Sequence, residues 1–309
     1  MMKRIGFILL LTACIAMIAS CQDKRQATMR SMYYWSTDFK IDKAKSSFLK
    51  KHGIKRMYVR FFDVVTADGN PPMPNATVSF SSPVPNGMEI IPVVFITNEC
   101  MRAGDERLAG KIMERVMKMC ETNDVRGVKE LQIDCDWTNS TRNAFFAFLK
   151  RLTGIAHRKG IQVSATIRLH QLRQTPPPVD RGVLMMYNTG DFTDINCHKP
   201  ILDISDVAPY VSGIADYKLE LSSAYPIYGW DILFRGGQYI GIMHYKDEYP
   251  VVPGDSIIKR APTLSDIMTA RHAIDKHRPE ANDEIILFDL SNNNIKRYKD
   301  NDYEKIFSR

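Results

Sequence analysis

The sequence predicts an α/β protein that folds as a single (β/α)8 TIM barrel, and three observations support this prediction. Apolar runs of strand length alternate with amphipathic runs of helix length along most of the chain, as in parallel βαβ units. Eight such strand-like runs occur, which is the number of strands in this barrel. No glycine-rich phosphate loop follows an early strand, which argues against the competing open, doubly wound sheet.

The predicted strands are short runs rich in β-branched and aromatic residues. They cover residues 32–37, 56–65, 89–97, 130–138, 162–172, 182–188, 217–225 and 284–290. Capping residues and apolar stripes at helical spacing predict three intervening helices. These are 105–121, 141–158 between a capping Ser140 and Gly160, and 264–276 after Thr263.

Two stretches interrupt the repeat of strands and helices. Residues 69–87 are rich in Pro, Asn and Ser, and they predict a long loop after the second strand. Residues 230–234 and 239–243 flank the segment R-G-G-Q, which predicts a β-hairpin insertion after the seventh strand. In a barrel both insertions follow the carboxyl ends of strands, where binding and catalytic loops lie.

The N-terminal segment predicts export and lipid anchoring. Lys3 and Arg4 precede an apolar run from 5 to 18, and the following I-A-S-C resembles a bacterial lipobox ending at Cys21. Cys14 lies too early to leave a full apolar run. We therefore expect a signal peptide at 1–21, a tether at 22–31 and the barrel at 32–309. The domain would lie outside the cytoplasm, held on the cell membrane or outer membrane by lipid on Cys21. An uncleaved N-terminal anchor would also leave it there.

Net charge and cysteine spacing limit the classes of function that the sequence allows. Loss of Lys3 and Arg4 lowers the formal net charge from +7 to +5. No Lys/Arg run exceeds two residues, so no nucleic-acid partner is predicted. No cysteine pair or Cys/His cluster has zinc-ligand spacing, and we predict no metal and no cofactor. The exported compartment permits disulfides, and the sequence assigns none among Cys100, Cys120, Cys135 and Cys197.

The fourth predicted strand contains the main candidate site. Side chains alternate along a strand, so Asp134, Asp136 and Thr138 are expected on one face and Cys135 on the other, toward the helices. Two carboxylates on one buried face are costly unless a site solvates or pairs them. The strand therefore predicts a functional centre inside the barrel.

This strand resembles the D-G-x-D-x-D-x-E strand of the family 18 glycoside hydrolases, the chitinase-like enzymes. Asp134 and Asp136 match its last two aspartates, and Trp137 stands where an aromatic is common. Thr138 replaces the catalytic Glu. The resemblance implies a carbohydrate site in which Asp134 and Asp136 are the candidate catalytic residues. It also implies a mechanism different from that of chitinases, because a threonine hydroxyl cannot act as a general acid near neutral pH.

Two further segments extend the resemblance. Residues 185–188, M-M-Y-N, resemble the end of that family's sixth strand, where Tyr187 and Asn188 would hold substrate. Residues 226–230, P-I-Y-G-W, resemble its seventh-strand ending P-x-Y-G-R. Tyr228 matches the Tyr of that motif, and Trp230 replaces its Arg. The chain is thereby similar to bacterial lipoproteins with chitinase-like barrels.

Tryptophans supply an independent argument for a sugar site. Trp35, Trp137 and Trp230 fall at the carboxyl ends of predicted strands one, four and seven, where flat rings stack on sugar faces. The alternative is that each ring belongs to the core. With Thr138, Tyr187, Asn188 and Tyr228, these tryptophans form the predicted substrate-binding set.

The alternation of side chains along strands also predicts cations near the aspartates. Arg168 and His170 share the inward face of strand five, and Arg60 the inward face of strand two. One or both arginines would neutralise Asp134, and we interpret them as ion-pair partners rather than catalytic groups. If the protein is an enzyme, its acid must come from a loop, and the candidates are Asp63, Glu99, Asp191 and Asp231.

The sequence leaves two main functional hypotheses. The first is a membrane-anchored, glycoside hydrolase-like barrel that acts on a glycan or polysaccharide with a displaced acid. The alternative is a non-catalytic, lectin-like barrel that binds the glycan, and a third possibility is a scaffold for another protein. A metal-binding D-x-D pair of a sugar-nucleotide transferase is discounted, because an exported protein lacks nucleotide sugars.

Overall fold

The chain forms a closed barrel of eight parallel strands in the computed structural model, which describes residues 29–67, 70–245 and 248–308. Neighbouring strands pair in chain order, and β1 closes the barrel by pairing with both β2 and β8. The predicted TIM barrel is therefore confirmed. The strands are β1 Met29–Tyr34, β2 Arg56–Val65, β3 Glu89–Ile96, β4 Glu130–Asp134, β5 Gln162–Arg168, β6 Arg181–Met185, β7 Glu220–Pro226 and β8 Glu284–Phe288.

Helices surround the barrel, and the three predicted ones are present within a few residues. They are α1 Lys43–Lys51, α2 Asn98–Ala103, α3 Leu108–Thr122, α4 Arg142–His157, α5 Ile204–Val211, α6 Leu264–His277 and α7 Asp300–Phe307. Gly160 follows α4 with φ of 70°, as a residue past a helix end often does. The cap of α4 is Thr141 rather than the predicted Ser140, because the Ser140 hydroxyl contacts Thr138 instead.

Strand boundaries differ from the prediction at three places. β1 begins inside the predicted tether, since Met29 already pairs with Glu284 of β8. β4 ends at Asp134 because the Thr138 backbone N–H donates to the Thr141 hydroxyl. β5 ends at Arg168, whose backbone N–H donates to the Gln171 side chain at the start of a 3-10 turn. Side-chain acceptors thus capture backbone donors that a longer strand would need.

Three further strands lie between β7 and β8. They form an antiparallel sheet, here called the ribbon sheet, with its first strand in the centre: Trp230–Arg235, Gln238–Met243 and Asp255–Arg260. The region predicted as a long loop after β2 contains two short strands. One pairs with β2 and the other with a strand that follows β1: Met73–Asn75, and Ser79–Phe80 with Asp38–Phe39.

Buried apolar residues form two layers separated by the barrel wall. The larger cluster lies between strands and helices and includes Cys135, as parity predicts. The smaller cluster fills the barrel with tyrosines and β-branched residues such as Tyr33, Tyr58 and Ile286. Trp35, Trp230 and Phe288 pack against this inner cluster.

The predicted signal peptide 1–21, with Cys21, and most of the predicted tether lie outside the described residues. Within the described part of the chain, no helix is both long enough and apolar enough to cross a membrane.

Candidate functional site

Asp134 lies at the carboxyl end of β4 and points into the barrel. The residue is only 4% exposed, and its Oδ1 accepts a hydrogen bond of 2.6 Å from the Thr166 hydroxyl on β5. Burial raises the pKa of this carboxyl, while the nearby Arg168 guanidinium opposes the rise. β4 and β5 thus place one buried carboxyl at the base of the open end of the barrel.

Arg168 bridges the two aspartates that the sequence singled out. Its Nε donates to Asp136 Oδ1 at 2.6 Å, and a terminal nitrogen lies 3.3 Å from Asp134 Oδ1. Asp136 lies beyond the end of β4, and its side chain is 60% exposed. The prediction that Arg168 enters the barrel beside the aspartates is correct. A carboxylate held by a guanidinium is less available to assist a reacting substrate group, because the ion pair must first separate.

Thr138 belongs to a group of hydroxyls at the start of α4. Its Oγ1 lies 2.9 Å from Ser140 Oγ and 3.3 Å from Thr141 Oγ1. The Thr141 hydroxyl in turn donates to Asn98 Oδ1. This position therefore carries a structural hydrogen-bond cluster and no ionisable acid.

The other two inward-facing cations that the sequence predicts take different positions. Arg60 makes a bidentate ion pair with Asp63 and lies over the ring of Trp35, at 5.3 Å from its centroid. Arg60 therefore has its own partner, and Arg168 is the arginine that contacts Asp134. His170 is exposed on the 3-10 turn after β5 rather than inside the barrel, because β5 ends two residues earlier.

Two adjoining cavities form a cleft across the open end of the barrel, and both are lined by Arg168, Tyr187 and Asn188. The first cavity, of about 600 Å³, is lined on one side by Asp136, Thr138 and His170. The second, of about 650 Å³, extends to Asp134, Trp35, Tyr228 and Trp230. Both volumes lie in the range of small-molecule sites.

The second cavity has an aromatic wall made by strands that are distant in sequence. Trp35 and Trp230 are half-buried, and both line the cavity. The ring of Phe288 lies 5.4 Å from Trp35 and 5.1 Å from Tyr187, and Tyr228 lies 5.5 Å from Trp230. Sequence reasoning missed Phe288, although its place at the end of the eighth strand was a usable signal.

Trp137 does not belong to this wall. The residue is 3% exposed and packs in the outer cluster, against Phe145 and Phe146 of α4. Although it borders the first cavity, its ring is not available as a stacking platform. The predicted platform of three tryptophans is therefore wrong for this residue, because it turns toward the helices after β4 ends.

Residues that follow β6 and β7 meet in the cleft. The Tyr228 hydroxyl donates to the side-chain oxygen of Asn188. Asn188 has φ of 56°, a left-handed conformation that asparagine adopts more readily than most residues. This backbone turn places Asn188 in the lining of both cavities.

Of the four alternative acids, only Asp231 lines the cleft. Asp63 is held by Arg60, and Glu99 is exposed on α2 away from both cavities. Asp191 bonds Thr193 in a turn, which lowers the pKa of its carboxyl.

Asp289 is a further carboxyl that sequence reasoning missed. It follows β8, lines the second cavity and accepts a hydrogen bond from Asn294. Burial raises its pKa to about 6. Sequence reasoning included it in the last strand, whereas the strand ends one residue earlier. Among the described residues, no group of three or more His, Cys, Asp or Glu side chains is placed to hold a metal ion.

Comparison with solved structures identifies the fold. The chain resembles the spore cortex-lytic enzyme SleL of Bacillus cereus with a TM-score of 0.59 and 14% identity, over 91% of this chain and 74% of that one. A chitinase from Bacteroides thetaiotaomicron gives 0.61 and 13%, over 91% and 97%. The chitinase-like agglutinin of Robinia pseudoacacia gives 0.56 and 12%, over 90% and 99%.

The barrel is thus a chitinase-like TIM barrel. No family model matches the chain, and no curated protein sequence matches it. At these identities the structural likeness establishes the fold alone. Because enzymes and an agglutinin share this fold, the function has to be argued from the side chains in the cleft.

Proposed function

We propose that the cleft at the open end of the barrel binds a glycan. The observation that carries this proposal is the combination of half-buried Trp35 and Trp230 with the polar floor of the second cavity. Sugar rings present apolar C–H faces and equatorial hydroxyls, so they need both flat aromatic walls and hydrogen-bonding groups. Asp134, Arg168 and Asn188 supply those groups.

Hydrolysis by the chitinase mechanism is not part of the proposal. That mechanism needs a carboxylic acid where this chain has Thr138, and it needs the carboxylate of Asp136 free to support the reacting acetamide. Here Asp136 is bridged to Arg168 at 2.6 Å. Cleavage with a displaced acid remains the second candidate function, and the carboxyls of Asp231 and Asp289 in the second cavity favour it.

Isothermal titration of the protein with (GlcNAc)4 and with cellotetraose tests the binding proposal. Trp230→Ala should weaken binding about two- to twelvefold, because a stacked aromatic ring contributes about 0.5–1.5 kcal/mol. Tyr245→Ala is the matched control, since this ring is 67% exposed and lies outside both cavities. Equal affinity for wild type and Trp230→Ala, or no heat with either sugar, would contradict the proposal.

We further propose that the chain is exported and anchored by lipid on Cys21, as its lipobox-like segment predicts. Cys21→Ser should abolish incorporation of labelled palmitate and release the domain from membranes, while Cys14→Ser should leave both unchanged. The readouts are metabolic labelling and membrane fractionation. Palmitate incorporation that survives Cys21→Ser and is lost in Cys14→Ser would move the lipid site to the earlier cysteine.

A further inference from the structure

Two carboxyls lie on the side of the second cavity that is opposite β4. Asp289 directly follows β8, and Asp231 is the second residue of the ribbon sheet, which follows β7. β7 and β8 are neighbours in the barrel, so both residues enter the cavity from adjacent strand ends. Trp230 and Phe288, the residues that precede them, line the same cavity.

The two carboxyls have different surroundings. Asp289 accepts a hydrogen bond from Asn294 and forms no ion pair within the described part of the chain. Burial raises its pKa to about 6, and the more distant Lys45 on α1 opposes this rise only weakly. The other charged or titratable residues that line the cavity are Asp134, Arg168, Tyr187, Tyr228, Asp231, His244 and Arg297.

Asp231 is half-buried, and none of its contacts with described residues is an ion pair or a side-chain hydrogen bond. Lys259 is its cross-strand neighbour in the ribbon sheet but does not pair with it. Two carboxyls in one cavity, one of them with a pKa raised by its surroundings, are the arrangement that separates an acid from a base in carbohydrate-cleaving sites.

The carboxyls on β4 do not offer this arrangement. Asp134 is bonded by Thr166 and approached by Arg168, and Asp136 is held by the same arginine. Both aspartates therefore belong to the ion-pair network on that side of the cleft. Of the carboxyls that line the second cavity, Asp231 and Asp289 are the two that form no ion pair with a described residue.

We propose that Asp289 and Asp231 are the acid and the base of a glycoside hydrolysis that takes place in the second cavity. This inference rests on the proposed glycan binding. Its substrate class is an oligosaccharide whose O-glycosidic bond spans the cavity, with sugar rings against Trp35 and Trp230. The site is distinct from the β4 position at which the sequence resemblance places the chemistry.

The reaction needs only water as a second reactant. The Asp289 carboxyl gives its proton to the glycosidic oxygen as the bond from that oxygen to the anomeric carbon breaks. Asp231 takes a proton from a water molecule, whose oxygen forms the new bond to the anomeric carbon. The leaving sugar keeps the first proton, and transfer of the second from Asp231 through solvent restores Asp289. Water attack on the opposite face predicts inversion at the anomeric carbon.

Binding and turnover measured on the same probes test this inference. We would incubate the full chain with (GlcNAc)4, cellotetraose and soluble peptidoglycan strands between pH 4 and 8, and follow products by proton NMR. Asp289→Asn and Asp231→Asn should each lower kcat at least 100-fold and leave Kd within threefold. Asp124→Asn, at an exposed residue near the other end of the barrel, is the control that should leave kcat unchanged.

The pH profile separates an acid from a merely structural residue. Wild-type kcat should fall as the pH rises through about 6, and the carboxyl carbon of Asp289 should titrate over the same range in NMR. Retention of anomeric configuration, or undiminished kcat in Asp289→Asn, would overturn the assignment. Probe binding without cleavage at any pH would overturn this inference alone. Absence of binding by every probe would overturn the proposed function as well.

Discussion

Carboxyls at the two ends of the barrel have opposite pKa shifts. Glu284 is the first residue of β8, at the amino end of the strands, here called the closed end. It accepts hydrogen bonds from Ser31, Tyr58 and Ser222, and it forms ion pairs with Arg56 and Arg181. These cations and donors lower its pKa to about 2 despite burial. Asp289, just past the other end of the same strand, has one amide donor, and burial raises its pKa to about 6.

The comparison distinguishes charged residues that stabilise the fold from charged residues that lie in the candidate site. At the closed end five residues donate hydrogen bonds to the carboxylate of Glu284, and Arg181 also donates to Glu130 at 3.0 Å. At the open end Asp134 and Asp136 share Arg168, and Asp289 forms no ion pair within the described part of the chain. Barrels of this fold place stability at the amino ends of strands and chemistry at the carboxyl ends, and this chain follows that division.

Breaking the closed-end network should have the largest effect. Glu284→Ala leaves Arg56 and Arg181 buried without their main anion, and we expect a loss of about 3–5 kcal/mol in the free energy of unfolding. Chemical denaturation at pH 7 measures it. Glu280→Ala is the control, because its side chain is 60% exposed. A loss below about 1 kcal/mol would mean that the network is not a structural element.

Trp137 lies in the core and Trp230 lines the cleft, so substitutions of these two tryptophans should have different effects. Trp137→Ala should destabilise the fold by about 3–5 kcal/mol, because it empties a buried site beside Phe145 and Phe146. Trp230→Ala should cost less stability and act mainly on glycan affinity. Denaturation and calorimetry on both variants check this prediction, and a reversal of the two effects would place Trp137 in the binding wall.

The two carboxyls should also impose opposite pH dependences on stability. Asp289 has a folded-state pKa above its unfolded value, so its contribution to stability is full below about pH 4 and is lost as pH rises through about 6. Glu284 has a lowered pKa, so its contribution is present above about pH 4.5 and is lost as pH falls toward 2.

Asp289→Asn isolates the first of these effects. The difference in unfolding free energy between wild type and variant should fall between pH 4 and 7, by at most about 3 kcal/mol for a shift of this size. Denaturation curves at four pH values measure this difference. A difference that stays constant with pH would show that Asp289 is not perturbed by burial.

Thr138→Glu should have the smallest effect. It removes a hydroxyl from the cluster with Ser140 and Thr141, which we expect to cost about 1 kcal/mol. It should not raise the rate of (GlcNAc)4 cleavage above that of the wild type, because Arg168 still holds Asp136. Thr122→Glu, at an exposed residue at the end of α3, is the control for the added negative charge. A higher rate in Thr138→Glu than in the wild type would instead indicate that the β4 site lacks only its acid.

Several features were determined by the sequence alone, because they depend on local periodicity. Apolar runs placed all eight barrel strands. Alternation along β4 correctly assigned Asp134 to the interior and Cys135 to the helix layer. Alternation along β5 correctly placed Arg168 beside the aspartates.

Tertiary structure decided the features that depend on where a strand stops and on which distant groups meet there. Trp137 packs against α4 because β4 ends at Asp134, and the Thr138 backbone N–H then donates to the Thr141 hydroxyl. Arg60 pairs with Asp63, three residues further along β2, and Arg168 from β5 contacts Asp134. Asp289 lies half-buried in a cavity lined by residues from distant strands, and it forms no ion pair within the described part of the chain. Periodicity says which face a residue takes within a strand, but burial and charge pairing at a strand's end are set by the whole fold.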